Sequence, residues 1–439
     1  MVIYNLYPST LHPPDLSADD DDAAVAAAED NLPWLLVELK AYVAKRDNAT
    51  TAFSTTWDGK RVQVTFCPRR PPRVSYVCVH SPDATAEIHV EPEILAVEDD
   101  LALLTIRVGS QKDVDDKIVD YFVYQADDGS GRPSLARLPR PPKHYFVGAD
   151  NAGQFDLCLY DSKWGGCSSN WKVHDVTVSS KSQLRRHGGR HYFYHKTCKV
   201  LAIGGGGGTM AFADLWRGVL FCDVLGVEAE AARRVLGRPM PLLRYVAVPE
   251  PMRKSNATFF EADARLYRDV AVVGDRLKPA TSSSSDGGQW RQDTKIMDSK
   301  DVKVRSELCP QAWRDKGIMA QSPFRDLDAC QPVLGLQEHA DVVYFTTKIG
   351  RWDANAWVVA VDMRKKEMLG VATFDARRYV GINFAYVHAR ISKHMMKSME
   401  EDTSMVCEDV DDMVRTKRDT SDDFIMSQSS VHGLAVDGL

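Results

Sequence analysis

The chain has 439 residues, 44% hydrophobic and 26% charged, with nine cysteines and a formal net charge of −6. Its apolar runs, such as WVVAV at 357–361, fall far short of the roughly 20 residues a membrane helix needs, so no membrane span is expected. The odd cysteine count without a CxxC pair excludes a disulfide framework and a zinc ribbon, and reads as buried thiols in a reducing compartment.

The N-terminus, MVIYNLYPSTLHPPDLSADDDD, lacks the basic and apolar regions of a secretory signal, which places the expected location in the cytoplasm or nucleus. Residues 1–30 carry a net −7 and residues 400–439 a net −8, leaving +9 for residues 31–399. Both acidic ends lack apolar periodicity and are read as disordered, with residues 31–399 as one folded domain.

Along that body come short β-type runs closed by turn residues. RVQVTFCP (61–68), VSYVCVH (74–80), AEIHVEP (86–92), LALLTIRVGS (101–110) and DYFVYQADDGSG (120–131) open the series. FDLCLYDS (155–162), HYFYH (191–195), LRYVAVPEP (243–251), VVYFTTKIG (342–350) and WVVAVDMRKKEMLGVATF (357–374) continue it. They are rich in Val, Ile, Tyr, Phe and Thr and most end on Pro, Gly, Asp or Ser, the signature of an all-β chain. One helix is expected, at LGVEAEAARRVLG (225–237), and a flexible loop at PATSSSSDGGQ (279–289). Several strand pairs share a plan: a strand ends at an aromatic or acidic residue, a polar turn follows, and a bulky side chain packs beneath it. That hairpin is the unit of propeller blades, so the expected fold is all-β and propeller-like, with few short helices.

Residues 204–208 are five glycines after the strand-like KVLAI. No lysine follows them, so they are not a P-loop. Gly206, Gly208 and Ala211 fit a dinucleotide fingerprint, with Glu228 twenty residues beyond Gly208, but a glycine homopolymer satisfies most of that pattern by itself. A nucleotide-dependent enzyme using this loop remains an alternative that requires a parallel sheet and a helix opening near Thr209. The competing reading is a hairpin, TMAFADL and VLFCDVL around a WRG turn, with Asp214 and Gly218 at its ends.

In RRHGGRHYFYHKTC, His187, His191 and His195 recur every four residues, but on a strand that spacing spans about 13 Å, too long for one metal ion. With Arg185, Arg186 and Arg190 the segment reads as a basic surface loop. A second basic stretch holds Lys60, Arg61, Arg69, Arg70 and Arg73. Basic residues interleaved with aromatics suit a phosphate backbone, yet no nucleic-acid motif is present, so nucleic acid is carried only as a further alternative. No GxSxG, HExxH or Cys-His motif occurs, and no catalytic residue, metal or cofactor is assigned. The expected activity is binding of a protein partner through exposed Trp and Arg, for which Trp164, Trp352, Arg185, Arg186 and Arg190 are the candidates.

Three blocks carry a family resemblance: NATTAF…WDGKRVQVTF…PPRVSYVCVH (48–80), MAFADLWRGVLFCDVL followed by LRYVAVPEP (210–251), and PVLGLQEHADVVYFTTKIGRWDANAWVVAVDMRKKEMLGV…FAYVHARISKHM (332–395). They resemble the plant family called domain of unknown function 1618. The resemblance implies a propeller-like body in the nucleus or cytoplasm and supplies no catalytic residues. The body is also similar to the kelch-like domains of plant F-box proteins. NLPWLLVELKAYVAKRD opens like an F-box but runs straight into the first strands, without room for three helices.

Overall fold

The structure is a computed structural model. It describes residues 11–13, 32–83, 88, 90–108, 119–127, 129–140, 154–161, 171–178, 185–187, 190–193, 195–203, 208–226, 242–247, 263–273, 276–283, 289–292, 295–298, 301–318, 324, 326–337, 341–379, 384–395 and 425–428. The expected all-β character holds: strands dominate, and helices are few and short. The chain forms two compact units, a larger one of residues 1–138 and 256–400 and a smaller one of residues 139–255 and 401–439, where the sequence reading drew residues 31–399 together.

The larger unit begins with β1 (Leu35–Glu38), β2 (Tyr42–Val43), β3 (Ala52–Thr55), β4 (Arg61–Cys67) and β5 (Val74–His80). The F-box-like opening is therefore strand. β5 pairs with β4 antiparallel and with β1 and β2 in parallel. Then β6 (Glu93–Glu98), β7 (Leu101–Ile106), β8 (Asp120–Gln125) and β9 (Ser134–Leu138) form a four-stranded antiparallel meander. Where Val, Leu and Phe dominate, as in RVQVTFC, the strand is buried along most of its length. Along EILAVE of β6, apolar between its two glutamates, only Ile94 is buried.

The smaller unit contains β10 (Gln154–Asp161), β11 (Trp171–Val178), β12 (Arg185–His187), β13 (Arg190–Tyr192), β14 (Lys199–Ile203), β15 (Thr209–Asp214), β16 (Gly218–Asp223) and β17 (Leu242–Ala247). Its main sheet runs β14-β15-β16-β17-β11-β10 and ends on a strand, Ile425–Gln428, drawn from the acidic segment expected to be disordered. Phe155, Leu157, Leu159, Phe212, Leu220 and Leu243 build its core. Of the helix expected at 225–237, Leu225 and Gly226 lie in a helical turn at 224–226, and residues 227–241 lie outside the described residues.

Thr209 opens a strand, not a helix, and β15 is antiparallel to both β14 and β16. Gly208, at φ +66°, takes the left-handed conformation that glycine adopts at little cost, and the remaining glycines lie outside the described residues. The β15–β16 turn matches the hairpin reading, with Asp214 opposite Gly218. Buried Asp214 organises it: Oδ1 accepts from the backbone N–H of Trp216 and Arg217, and Oδ2 from the Lys196 N–H and the Arg217 guanidinium. Tyr245, across on β17, donates from its hydroxyl to the Arg217 carbonyl at 2.8 Å. The same acidic strand-end device recurs in the larger unit, where the Asp362 carboxylate accepts from the Arg364 and Lys365 N–H groups.

The larger unit resumes with β18 (Arg268–Val273), β19 (Arg276–Ser283), β20 (Gln289–Gln292) and β21 (Lys295–Asp298), a second antiparallel meander. Residues 279–283 and 289, expected in a flexible loop, are strand instead, because β19 is paired on both sides and its ladder extends through the serines. After helix α1 (Gln311–Asp315) comes a third meander, β22 (Asp328–Leu334), β23 (Val342–Lys348), β24 (Asn355–Asp362) and β25 (Glu367–Asp375). Strand β26 (Tyr386–Ala389) then pairs antiparallel with β1, Leu35 opposite Ala389, before helix α2 (Ser392–Met395). The two ends of the larger unit thus share one sheet. Gln331 marks a bulge in β22, at φ +52° and fully buried. Its amide acts as a substitute rung, donating to the Tyr386 carbonyl at 2.7 Å and accepting from the Ala385 N–H at 3.0 Å.

A buried charge cluster fastens this closure. The Arg378 guanidinium donates to Glu91 at 3.0 Å, Glu38 at 3.3 Å and the carbonyls of Lys40 and Ala41 at 3.1 and 2.7 Å, and lies 4.1 Å from the Tyr42 ring centroid. Lys40 bonds Glu91 at 2.6 Å, and the Tyr379 hydroxyl donates to Glu38 at 2.9 Å.

Burial pushes the Glu38 carboxyl up to about 7 from an ordinary 4.5, against the opposing pull of Arg378 and Tyr379. The folded chain then holds a proton there that the unfolded chain has lost. Glu38's contribution to stability is therefore fully present below pH 4.5 and is lost as pH rises to about 7, with an amplitude of about 3 kcal/mol. Urea unfolding at pH 5 and pH 7.5 checks this: Glu38→Gln is expected to flatten the decline. An equally steep decline in the variant would place the proton elsewhere.

Candidate interaction surface

Two tryptophans stand in solvent at hairpin ends of the larger unit. Trp352 is 74% exposed in the β23–β24 turn. The turn is held by the Gly350 N–H donating to the Asp353 carboxylate at 2.8 Å and the Asp353 N–H donating back to the Gly350 carbonyl at 2.9 Å. Beneath it β24 is buried, and Trp357 meets Trp313 edge-to-face at 5.7 Å, so a packed strand carries an exposed indole. A shallow groove of about 310 Å³, lined by Asp315, Ile349, Asp353, Asn355 and Trp357, adjoins the turn. That is the lower end of ligand-pocket sizes and enough for one large side chain.

Trp57, 64% exposed, sits in the β3–β4 turn, where its backbone N–H donates to Asp120 at 3.1 Å and the Arg137 guanidinium lies 4.8 Å from its ring centroid. Phe53 on β3 is 65% exposed. The sequence reading missed Trp57, although a signal was present: it immediately precedes Asp58-Gly59, a turn dipeptide, and Gly59 takes φ +81°.

Of the other candidates, Arg185, Arg186 and Arg190 form an antiparallel hairpin of the smaller unit, in which Arg185 faces Tyr192 and Arg186 faces His191. They belong to paired strands rather than to the loop that was expected. Trp164 lies outside the described residues. His195, third of the spaced histidines, has both ring nitrogens enclosed, and burial lowers its pKa to about 4, holding it neutral.

The basic stretch of β4 is largely self-neutralised: Lys60 pairs with Asp58 at 3.0 Å and Arg61 with Asp83 at 2.9 Å, while Arg69 lies 5.3 Å from the Tyr76 ring centroid. Asn48, in a glycosylation-type tripeptide, spends its amide within the fold, donating to the Phe66 carbonyl and accepting from Thr50. Among the described residues, no three His, Cys, Asp or Glu side chains converge as metal ligands, and no helix is long and apolar enough to cross a membrane.

Comparison with known proteins returns one family model, described as "Protein of unknown function (DUF1618)", over residues 212–344. The match opens at Phe212 in β15, just before the Asp214 turn, and runs into β23. No curated protein matches the chain.

Proposed function

We propose that the chain, whose residues 212–344 match the DUF1618 family model, is a non-enzymatic module of the cytoplasm or nucleus that binds another protein through hairpin-tip loops on a propeller-like body. Exposure of Trp352 on a hydrogen-bonded turn carries this reading. An exposed indole beside a groove of side-chain size is suited to anchor a partner, and Trp is among the residues most enriched at interface hot spots. The three four-stranded meanders and the β1–β26 pairing support the propeller-like body, since successive antiparallel units and a shared first-and-last sheet are how propellers are built.

The other readings find less support. A dinucleotide loop needs a strand leading into a helix, and the glycines join antiparallel strands. A phosphate-tracking surface needs uncommitted cations, and Lys60 and Arg61 have acidic partners.

Trp352→Ala is expected to reduce capture of the partner about tenfold or more while leaving the thermal midpoint unchanged, as befits a side chain that packs against little in the free protein. Quantitative affinity capture from plant extract with wild-type and variant chains measures this. Equal recovery of every partner by both chains would remove Trp352 from the contact.

A further inference from the structure

Cys67 closes β4 and Cys78 lies within β5. The register sets Cys67 opposite Tyr76 and Thr65 opposite Cys78. Residues two apart on a strand share a face, so the two thiols are diagonal neighbours on one face of the sheet. They pack in one small cluster with Tyr42 and Tyr76. Among the described residues, no other strand register sets two cysteines side by side.

Their surroundings divide the work between them. Cys67 is partly exposed and Cys78 is buried. The Cys78 thiol, the Tyr76 hydroxyl and the Arg46 and Arg69 guanidinium groups hold the Cys67 thiol below its ordinary value despite partial burial, while the Cys78 thiol is pushed well above it. A partly exposed thiol of lowered pKa beside a buried thiol of raised pKa is the arrangement of an attacking and a resolving cysteine.

We propose that Cys67 and Cys78 form a reversible thiol pair that responds to hydrogen peroxide. The Cys67 thiolate attacks one peroxide oxygen, the O–O bond breaks, and Cys67 becomes a sulfenic acid as hydroxide leaves. The Cys78 sulfur then displaces the hydroxyl group, forming the S–S bond, while its proton is taken up to complete the second water. Two thiols are oxidised to one disulfide and one peroxide is reduced to two waters.

Diagonal neighbours start about 7–8 Å apart at Cα, beyond the usual disulfide span of about 4.4–6.8 Å, so the end of β4 must close in. Cys67 is the last residue of that strand and is followed by Pro68, which places the required movement where the ladder ends. A bridge made this way is strained and readily reduced, as a reversible modification in a reducing compartment must be.

Peroxide treatment of the full chain, alkylation and non-reducing peptide mapping test the pair. The expected product joins Cys67 to Cys78 and is reversed by dithiothreitol. Cys78→Ala should stop at a Cys67 sulfenic acid, labelled by dimedone about tenfold more than the partly exposed Cys198. Cys67→Ser should leave Cys78 reduced at the same dose. Circular dichroism confirms that both variants are folded before treatment. Oxidation of Cys198 with Cys67 still reduced, a bridge from Cys67 to any other cysteine, or oxidation of Cys78 in Cys67→Ser would each overturn the pair.

Discussion

Replacing Arg378 with Met is expected to cost about 3–5 kcal/mol of stability, because it takes the guanidinium away from the buried Glu38 and Glu91 carboxyl groups and leaves Glu91 with the Lys40 ammonium alone. The side chains involved are only 1–5% exposed, so water cannot take the place of the lost cation. The carbonyls of Lys40 and Ala41 lose their donor in the same step, which adds the cost of unsatisfied buried acceptors. Denaturant unfolding of the single variant measures the loss. Adding Glu38→Gln and Glu91→Gln should recover most of it, since uncompensated charge rather than lost volume causes the damage. A single variant within about 1 kcal/mol of wild type would mean that water reaches the cluster.

Gly218→Ala is expected to destabilise the smaller unit by about 3 kcal/mol, at the upper end for an overpacked site. A methyl group there would lie 2.5 Å from the Val246 carbonyl oxygen and 2.5 Å from the Tyr245 ring. The carbonyl is backbone in the paired strand β17 and cannot step aside, and moving Tyr245 breaks its bond to the Arg217 carbonyl. Gly59→Asn is the contrasting variant: Gly59 has open space around it and needs only a positive φ, which Asn tolerates, so a change below about 1 kcal/mol is expected. Thermal unfolding of both variants reads the difference. Equal small losses would show that β17 can shift away from the turn.

Gly218 also illustrates how far the sequence could be read. Its place at the end of a WRG turn opposite Asp214 is legible from turn chemistry, and the register bears it out. That it must be glycine because Tyr245 lies across from it is not legible, since Tyr245 comes from a strand 27 residues further along and packs there only after β16 and β17 pair. Trp352 shows the same division: an aromatic residue in a Gly-Arg-Trp-Asp turn can be picked out by eye, but whether it is buried under the turn or projects from it depends on what Trp313 and Trp357 already fill. The serine-rich stretch shows the converse, because the weak strand propensity of Ser282 and Ser283 is overridden by their ladder with β20, which continues a strand paired on both sides at Ala280 and Thr281.

By itself the sequence determined the all-β character and many of the strands and turns, though not the strand expected at 86–92, because alternation and acidic strand ends are local signals. Only the tertiary structure decided that β1 closes on β26 and that Arg378 reaches Glu38 from 340 positions away. It alone brought Gln331 to complete a ladder beside β26 and set Cys67 next to Cys78. Those contacts are made by side chains whose partners are fixed when distant strands pair, and pairing across such separations leaves no periodicity in the residues on either side.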